Sequence, residues 1–158
     1  MATTWDGLPV AHERPYVCCV VVWRDGDRDR EFLLLHRLAP GGAGFHGAWA
    51  WTPPSGARQP GETPDIAAAR ELHEETGLRL PLVSADTATP SREVALYVAH
   101  APQDAAVVLD HEHDQFRWLP LEQAAALCLP PEVGACLTKA SAGLDAPHPY
   151  RMTERSRE

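Results

Sequence analysis

Hydrophobic and polar positions along the first fifty residues fall into blocks rather than into a helical period. Tyr16 to Trp23 (YVCCVVVW) is apolar throughout and rich in β-branched residues, which predicts a buried strand. Arg24 to Arg30 (RDGDRDR) is polar and contains Asp-Gly, and Glu31 to Arg37 (EFLLLHR) turns apolar again. Two apolar runs around an Asp-Gly turn predict an antiparallel hairpin. Ala39 to Gly47 is glycine-rich and predicts a mobile loop, and Trp49 to Thr52 (WAWT) a short strand stopped by Pro53-Pro54.

The pattern changes at Thr63-Pro64. Threonine suits the capping position, and proline the first helical one, where its missing N–H removes no hydrogen bond. A helix is predicted from Pro64 to about Thr76, ended by a left-handed Gly77. Leu72 is expected to anchor it to a sheet, with Ile66 and Ala69 as companions. Leu80 to Ala85, Glu93 to Ala99 and Asp114 to Leu119 read as further strands. Helices are predicted near Pro120 and over Pro131 to Leu144. No repeat or linker divides the chain. The expected architecture is an α+β layered domain over residues 1–146, with 147–158 as a flexible tail.

Composition narrows the function classes. The 158 residues suit one domain with a sizeable core, and 44% hydrophobic with 23% charged content is ordinary for a soluble protein. A net charge of -8 argues against a nucleic-acid binder, which normally presents a basic face. Anionic small molecules stay open, because a bound divalent cation reverses the local field. There is no apolar run of membrane-spanning length, and the N-terminal residues lack the basic-then-apolar order of a signal peptide. Cys18, Cys19, Cys128 and Cys136 show no CxxC spacing and read as buried free thiols. A cytoplasmic protein without membrane contact is expected, and a homodimer is the oligomer to expect if it associates.

The chemistry concentrates on the helix from Pro64. Glu71, Glu74 and Glu75 stand at i, i+3 and i+4, so three carboxylates share one face. Such hard oxygen donors suit Mg²⁺, for which Mn²⁺ can substitute. Glu62, just upstream, could add a fourth carboxylate. An acidic helix face taken alone is far more often simply solvated. The framework around it changes that balance. Gly56 to Leu78 (GARQPGETPDIAAARELHEETGL) resembles the Nudix box, G-x5-E-x7-R-E-U-x-E-E-x-G-U with U aliphatic. Gly56, Glu62, Arg70, Glu71, Leu72, Glu74, Glu75, Gly77 and Leu78 fill every specified position. A chance match in such a chain has a probability below roughly one in ten million.

The resemblance implies a Nudix fold: a mixed β-sheet sandwiched between α-helices, with a loop–helix–loop catalytic motif at one rim. It implies a Mg²⁺-dependent hydrolase that cleaves the diphosphate linkage of a nucleoside diphosphate derivative by water attack at phosphorus. Glu74 and Glu75 are implied metal ligands, Glu71 a further ligand or the base, and the Ser55 backbone carbonyl another ligand. Arg70 is implied to pair with Glu71 and orient it. Glu112, in His111-Glu112-His113, matches an extra glutamate that many members carry as ligand or base. Two histidines there supply only half of what zinc wants. A catalytically inactive nucleotide-binding or regulatory module of the same fold is the competing reading. Its usual signature is erosion of the acidic positions, and none is eroded here.

Outside the box the chain is most similar to asymmetrical diadenosine tetraphosphate hydrolases. Glu31 to Leu35, Trp51 to Gly56 and His111 to Leu119 carry that similarity, although other Nudix subfamilies share such pieces. Two departures count against it. Ser55 stands where those enzymes usually have lysine, and Leu80 to Ala101 is short, with Tyr97 as its only aromatic. For the substrate, Arg37 and Arg58 are candidate phosphate contacts. Trp49, Trp51, Phe45, Phe116 and Tyr97 are candidates to stack a base, each equally at home in a core.

Overall fold

A computed structural model describes residues 3–4, 7–39, 41–85 and 93–145; the tail expected over 147–158 and Arg92 lie outside these. The elements run β1 (Val17–Asp25), β2 (Arg30–Arg37), β3 (Trp51–Thr52), β4 (Ser55–Ala57), α1 (Pro64–Thr76), β5 (Val83–Ser84), β6 (Val94–His100), β7 (His113–Pro120), α2 (Leu121–Leu127) and α3 (Pro131–Asp145). The strands form one mixed sheet in which β1 and β6 run parallel and all other pairs are antiparallel.

β1 is apolar at successive positions because both its faces are covered. Cys18, Val20 and Val22 face Ala67, Ala68 and Leu72 of α1. Cys19 and Val21 point the other way, into a cluster with Ala124 of α2 and Leu137 and Ala140 of α3. The sheet is thus sandwiched between α1 and the α2–α3 pair, the α+β arrangement expected. All four cysteines are free, and burial pushes the Cys18 thiol up to about 11.

Several local expectations needed correction. α1 begins as predicted, but Thr63 makes no side-chain cap bond, so Pro64 at the first position marks the start without that cap. Gly77 ends it at φ 74°, in the left-handed region. Ile66 and Ala69 do not accompany Leu72, because the buried stripe of the helix runs through Ala67, Ala68, Glu71, Leu72 and Glu75. Ile66 is exposed. The strand expected from Trp49 begins only at Trp51, since Trp49 has φ 67° and turns the chain out of extended geometry. β5 shrinks to two residues beside Pro81, which lacks an N–H for a ladder. β4 was not expected at all. It exists because the first residues of β1 lack β2 as a neighbour and pair instead as Val17↔Ala57, Cys18↔Gly56 and Cys19↔Ser55.

That parting of strands positions the site. β1 pairs with β2 only from Trp23↔Phe32 to Asp25↔Arg30; farther along, β2 pairs with β3 at Leu35↔Thr52 and His36↔Trp51, while β7 runs along its other edge from Glu31 to Arg37. At the other end of β1 a gap opens between β4 on one side and the end of β2 with the start of β7 on the other.

Candidate active site

A cleft of about 830 Å³ occupies this gap. It is lined by the acid-bearing face of α1, by Ser55, Gly56 and Ala57 of β4, and by Arg37, His111 and Glu112. Residues from the N-terminal segment, Leu8 and Pro9 among them, complete the rim.

Helical spacing turns Glu71, Glu74 and Glu75 toward the cleft, but to different depths. Glu71 and Glu75 are only 9% and 6% exposed, whereas Glu74 reaches solvent. The Glu71 carboxylate lies directly over Gly56, so a side chain at that position would force the carboxylate to move. The Ser55 N–H donates to Glu75 Oε1 at 3.1 Å. Burial pushes the Glu71 carboxyl up to about 7, Arg70 pulls it down, and the negative charges of Glu74, Glu112 and Glu62 raise it further. Burial likewise holds Glu75 well above the usual carboxylate range, and Glu71 adds to the rise against the Ser55 hydrogen bond.

Arg70 behaves differently from expectation. Its strongest partner is Glu62: Nε donates to Oε2 at 2.6 Å and Nη2 to Oε1 at 2.9 Å. Nη2 also donates to the Ala57 carbonyl at 3.1 Å. Glu71 and Glu74 receive only Nη1, at 3.4 and 3.2 Å. The hydrogen bonds from Arg70 lower the Glu62 carboxyl, so Glu62 is a firm anion that fixes Arg70 rather than a fourth cleft carboxylate. Through Arg70 it ties the incoming loop to the outer edge of the acid face.

The donor set fits a hard divalent cation. Three α1 carboxylates and Glu112 line one cleft, Glu71 and Glu75 raised chiefly by burial and further by neighbouring carboxylates, while the single Arg70 charge is spread over three acids. Among the described residues no three His, Cys, Asp or Glu side chains already stand close enough to enclose an ion. His113 is taken up elsewhere, with Nδ1 at 2.7 Å from Asp110 Oδ1.

Of the residues expected to meet the substrate, Arg37 lines the cleft and Arg58 and Tyr97 do not; Ser55 and Glu112, expected as metal ligands, also line it. Arg58 is 5% exposed, and its guanidinium donates to the carbonyls of Pro15 at 2.8 Å, Glu62 at 2.6 Å and Glu13 at 2.6 Å. It clamps the N-terminal segment to the loop before α1 instead of meeting phosphate. Tyr97 is 8% exposed and packs in the core beneath α1, because the parallel pairing Val20↔Tyr97 places it on the inner face of β6. Among the other aromatics, Trp51 is buried, and Phe45 is wedged between Gly41 and Gly47. Phe116 is partly exposed but outside the cleft, and Trp49 lines it.

Sequence reasoning missed the Glu62–Arg70 pairing and the N-terminal rim. The first had a signal, since both residues hold fixed box positions eight apart. Leu8 and Pro9 had none, because nothing local tells a segment that it will lie beside a helix more than fifty residues away.

Comparison with known proteins agrees with this geometry. The family model "NUDIX domain" matches residues 12–138. The asymmetrical bis(5'-nucleosyl)-tetraphosphatase of Caenorhabditis elegans is 30% identical over 135 residues, covering 79% of this chain and 93% of that protein. A crystal structure of a C. elegans Ap4A hydrolase binary complex superposes with a TM-score of 0.66 at 30% identity, over 81% of this chain and 96% of that one. An octanoyltransferase of Myxococcus xanthus is 41% identical over 102 residues, but that match covers 58% of this chain and only 27% of that protein.

Proposed function

This chain belongs to the NUDIX family, and on that premise we propose that it is a Mg²⁺-dependent hydrolase of nucleoside diphosphate derivatives. The observation that carries the reading is a cleft in which Glu71, Glu74, Glu75 and Glu112 converge while the one nearby arginine of α1 is already committed to Glu62. That arrangement calls for an added cation and an anionic ligand together.

Glu74, Glu75 and the Ser55 carbonyl would hold the cation, and Glu71 would serve either as a further ligand or as the base. Bound there, a divalent ion neutralises the diphosphate and lowers the pKa of a coordinated water. Gly56 leaves room for the Glu71 carboxylate, and the Ser55 N–H fixes the orientation of Glu75. Glu62 and the Ala57 carbonyl hold Arg70 at the edge of the acid face. The oxygen of the attacking water bonds to phosphorus as the bridging P–O bond breaks, and a carboxylate, Glu71 or Glu112, takes the proton. Arg37 lies near enough to Glu75 to pull its carboxyl down, and makes no close ion pair among the described residues. It is the cation placed to meet a phosphate oxygen.

A dinucleoside tetraphosphate is the second reading, favoured by the names of the relatives. Ser55 brings no charge, Arg58 is spent on backbone carbonyls, and a longer bridge gains less from Arg37 alone. Nucleoside di- or triphosphate derivatives are therefore expected to be cleaved at least as efficiently as diadenosine tetraphosphate. Measuring kcat/KM for both classes under identical Mg²⁺ tests this. A tenfold preference for the tetraphosphate, about 1.4 kcal/mol, would reverse the assignment, and no metal-dependent turnover of either class would favour the inactive module.

A further inference from the structure

We propose that Trp49 is the platform on which the nucleobase of the substrate stacks, in a cleft whose lining also includes Leu8 and Pro9; this rests on the nucleotide reading above. Of the five aromatic candidates, Trp49 alone lines the cleft. Its setting is unlike that of a packing residue. It is 50% exposed, and its φ of 67° lies in the left-handed region that bulky side chains avoid and that glycine or asparagine adopts readily.

Neighbouring residues show how that conformation is held. Trp51 is 1% exposed, its ring 5.0 Å from that of His36 and 4.6 Å from the Arg117 guanidinium. Ala50 is buried, its carbonyl accepts the Arg37 N–H at 2.8 Å, and the Trp49 N–H donates to the Leu129 carbonyl. With both sides anchored, the chain turns outward at Trp49. Folding alone favours glycine at such a turn. A large aromatic there combines backbone strain with an exposed apolar surface, and a ligand that covers the ring accounts for both.

The carboxylates of α1 that line the cleft suit a metal-bound diphosphate, and Trp49, Leu8 and Pro9 are uncharged members of the same lining. Leu8 is 53% exposed, yet it is not on a loose end. Val10 and Ala11 behind it are buried, the Ala11 N–H donates to the Arg58 carbonyl, and the Arg58 guanidinium grips the carbonyls of Glu13 and Pro15. Arg58 thus acts as a positioning residue for the rim. Stacking accepts any base, because every base has a π-face, so the expected substrate class is a diphosphate carrying a planar heteroaromatic group.

Calorimetric titration in Mg²⁺ with adenosine 5'-(α,β-methylene)diphosphate and with methylenediphosphonate, which lacks the nucleoside, tests the assignment. Trp49→Ala is expected to weaken the nucleotide analogue about tenfold or more. Trp49→Phe should stay within about threefold of the native protein, and methylenediphosphonate should bind all three within about twofold. Trp49→Gly, which relieves the left-handed strain, should melt at or above the native temperature without ligand while binding the nucleotide as weakly as the alanine variant. Equal weakening of both ligands, unchanged nucleotide affinity in Trp49→Ala, or no nucleotide binding by the native protein would each overturn the proposal. Failure of the hydrolase reading looks different: the native protein would turn over no nucleoside diphosphate derivative while the binding contrast persisted.

Discussion

Glu71→Gln should make the metal-free protein more stable at alkaline pH while removing its activity. The Glu71 carboxyl lies at about 7 in the folded protein against an ordinary value of 4.5, chiefly because it is buried, with Arg70 pulling it down and Glu74, Glu112 and Glu62 raising it. A gap of about 2.5 pH units at roughly 1.36 kcal/mol each gives about 3 kcal/mol. Its side chain is only 12% exposed, so solvent screening takes little from that figure. Between pH 4.5 and 7 the folded state binds more protons than the unfolded one, so stability falls as pH rises through this window. The contribution is fully present below 4.5 and lost above 7. Glutamine keeps the shape and has no charge to bury. In EDTA at pH 8 the variant should therefore melt about 6–12 °C above the native protein, taking about 2–4 °C per kcal/mol for a chain of this size. At pH 5 the two should nearly coincide. Saturating Mg²⁺ should reverse the order, since the native protein gains ligand-linked stability that the variant largely forfeits. Differential scanning calorimetry across that pH range decides the matter. A variant that melts at or below the native protein at pH 8 in EDTA would refute the account of Glu71 as an uncompensated buried charge.

The remaining predictions concern individual roles. Glu74→Gln and Glu75→Gln should each fold and each lose at least about two orders of magnitude of Mg²⁺-dependent turnover, because the cation that stabilises transition-state charge is lost; near-native rates in a folded double variant would remove both from the ligand set. Glu112→Gln should lower kcat more than it raises KM if the residue acts as ligand or base, and steady-state kinetics at saturating metal would show no change for a solvated loop acid. Arg58→Ala leaves three carbonyls without their donor, so a loss of about 3 kcal/mol or more is expected in chemical denaturation. A variant with native stability and only a raised KM would restore Arg58 to the phosphate site.

Sequence alone determined the features whose cause is local. The positions Gly56, Glu62, Arg70, Glu71, Glu74, Glu75 and Gly77 are legible because helical spacing converts i, i+3 and i+4 directly into a shared face, and because Pro64 and the left-handed Gly77 mark the ends of α1 without outside help. The apolar runs of β1 and β2 likewise announce strands covered on both sides. Tertiary structure decided everything that depends on which surfaces meet. Arg58 and Arg37 look equally free as letters, yet one faces carbonyls more than forty residues away and the other an open cleft. Tyr97 lies within β6 and Trp49 just before β3, but parallel pairing with β1 turns Tyr97 inward, while Trp49, at φ 67°, is left half exposed. β4 forms because β2 pairs with β1 only near Trp23–Asp25 and leaves the first residues of β1 open to a new neighbour. Long-range pairing fixes such choices through the combined burial of many side chains, and no window of neighbouring residues contains that sum.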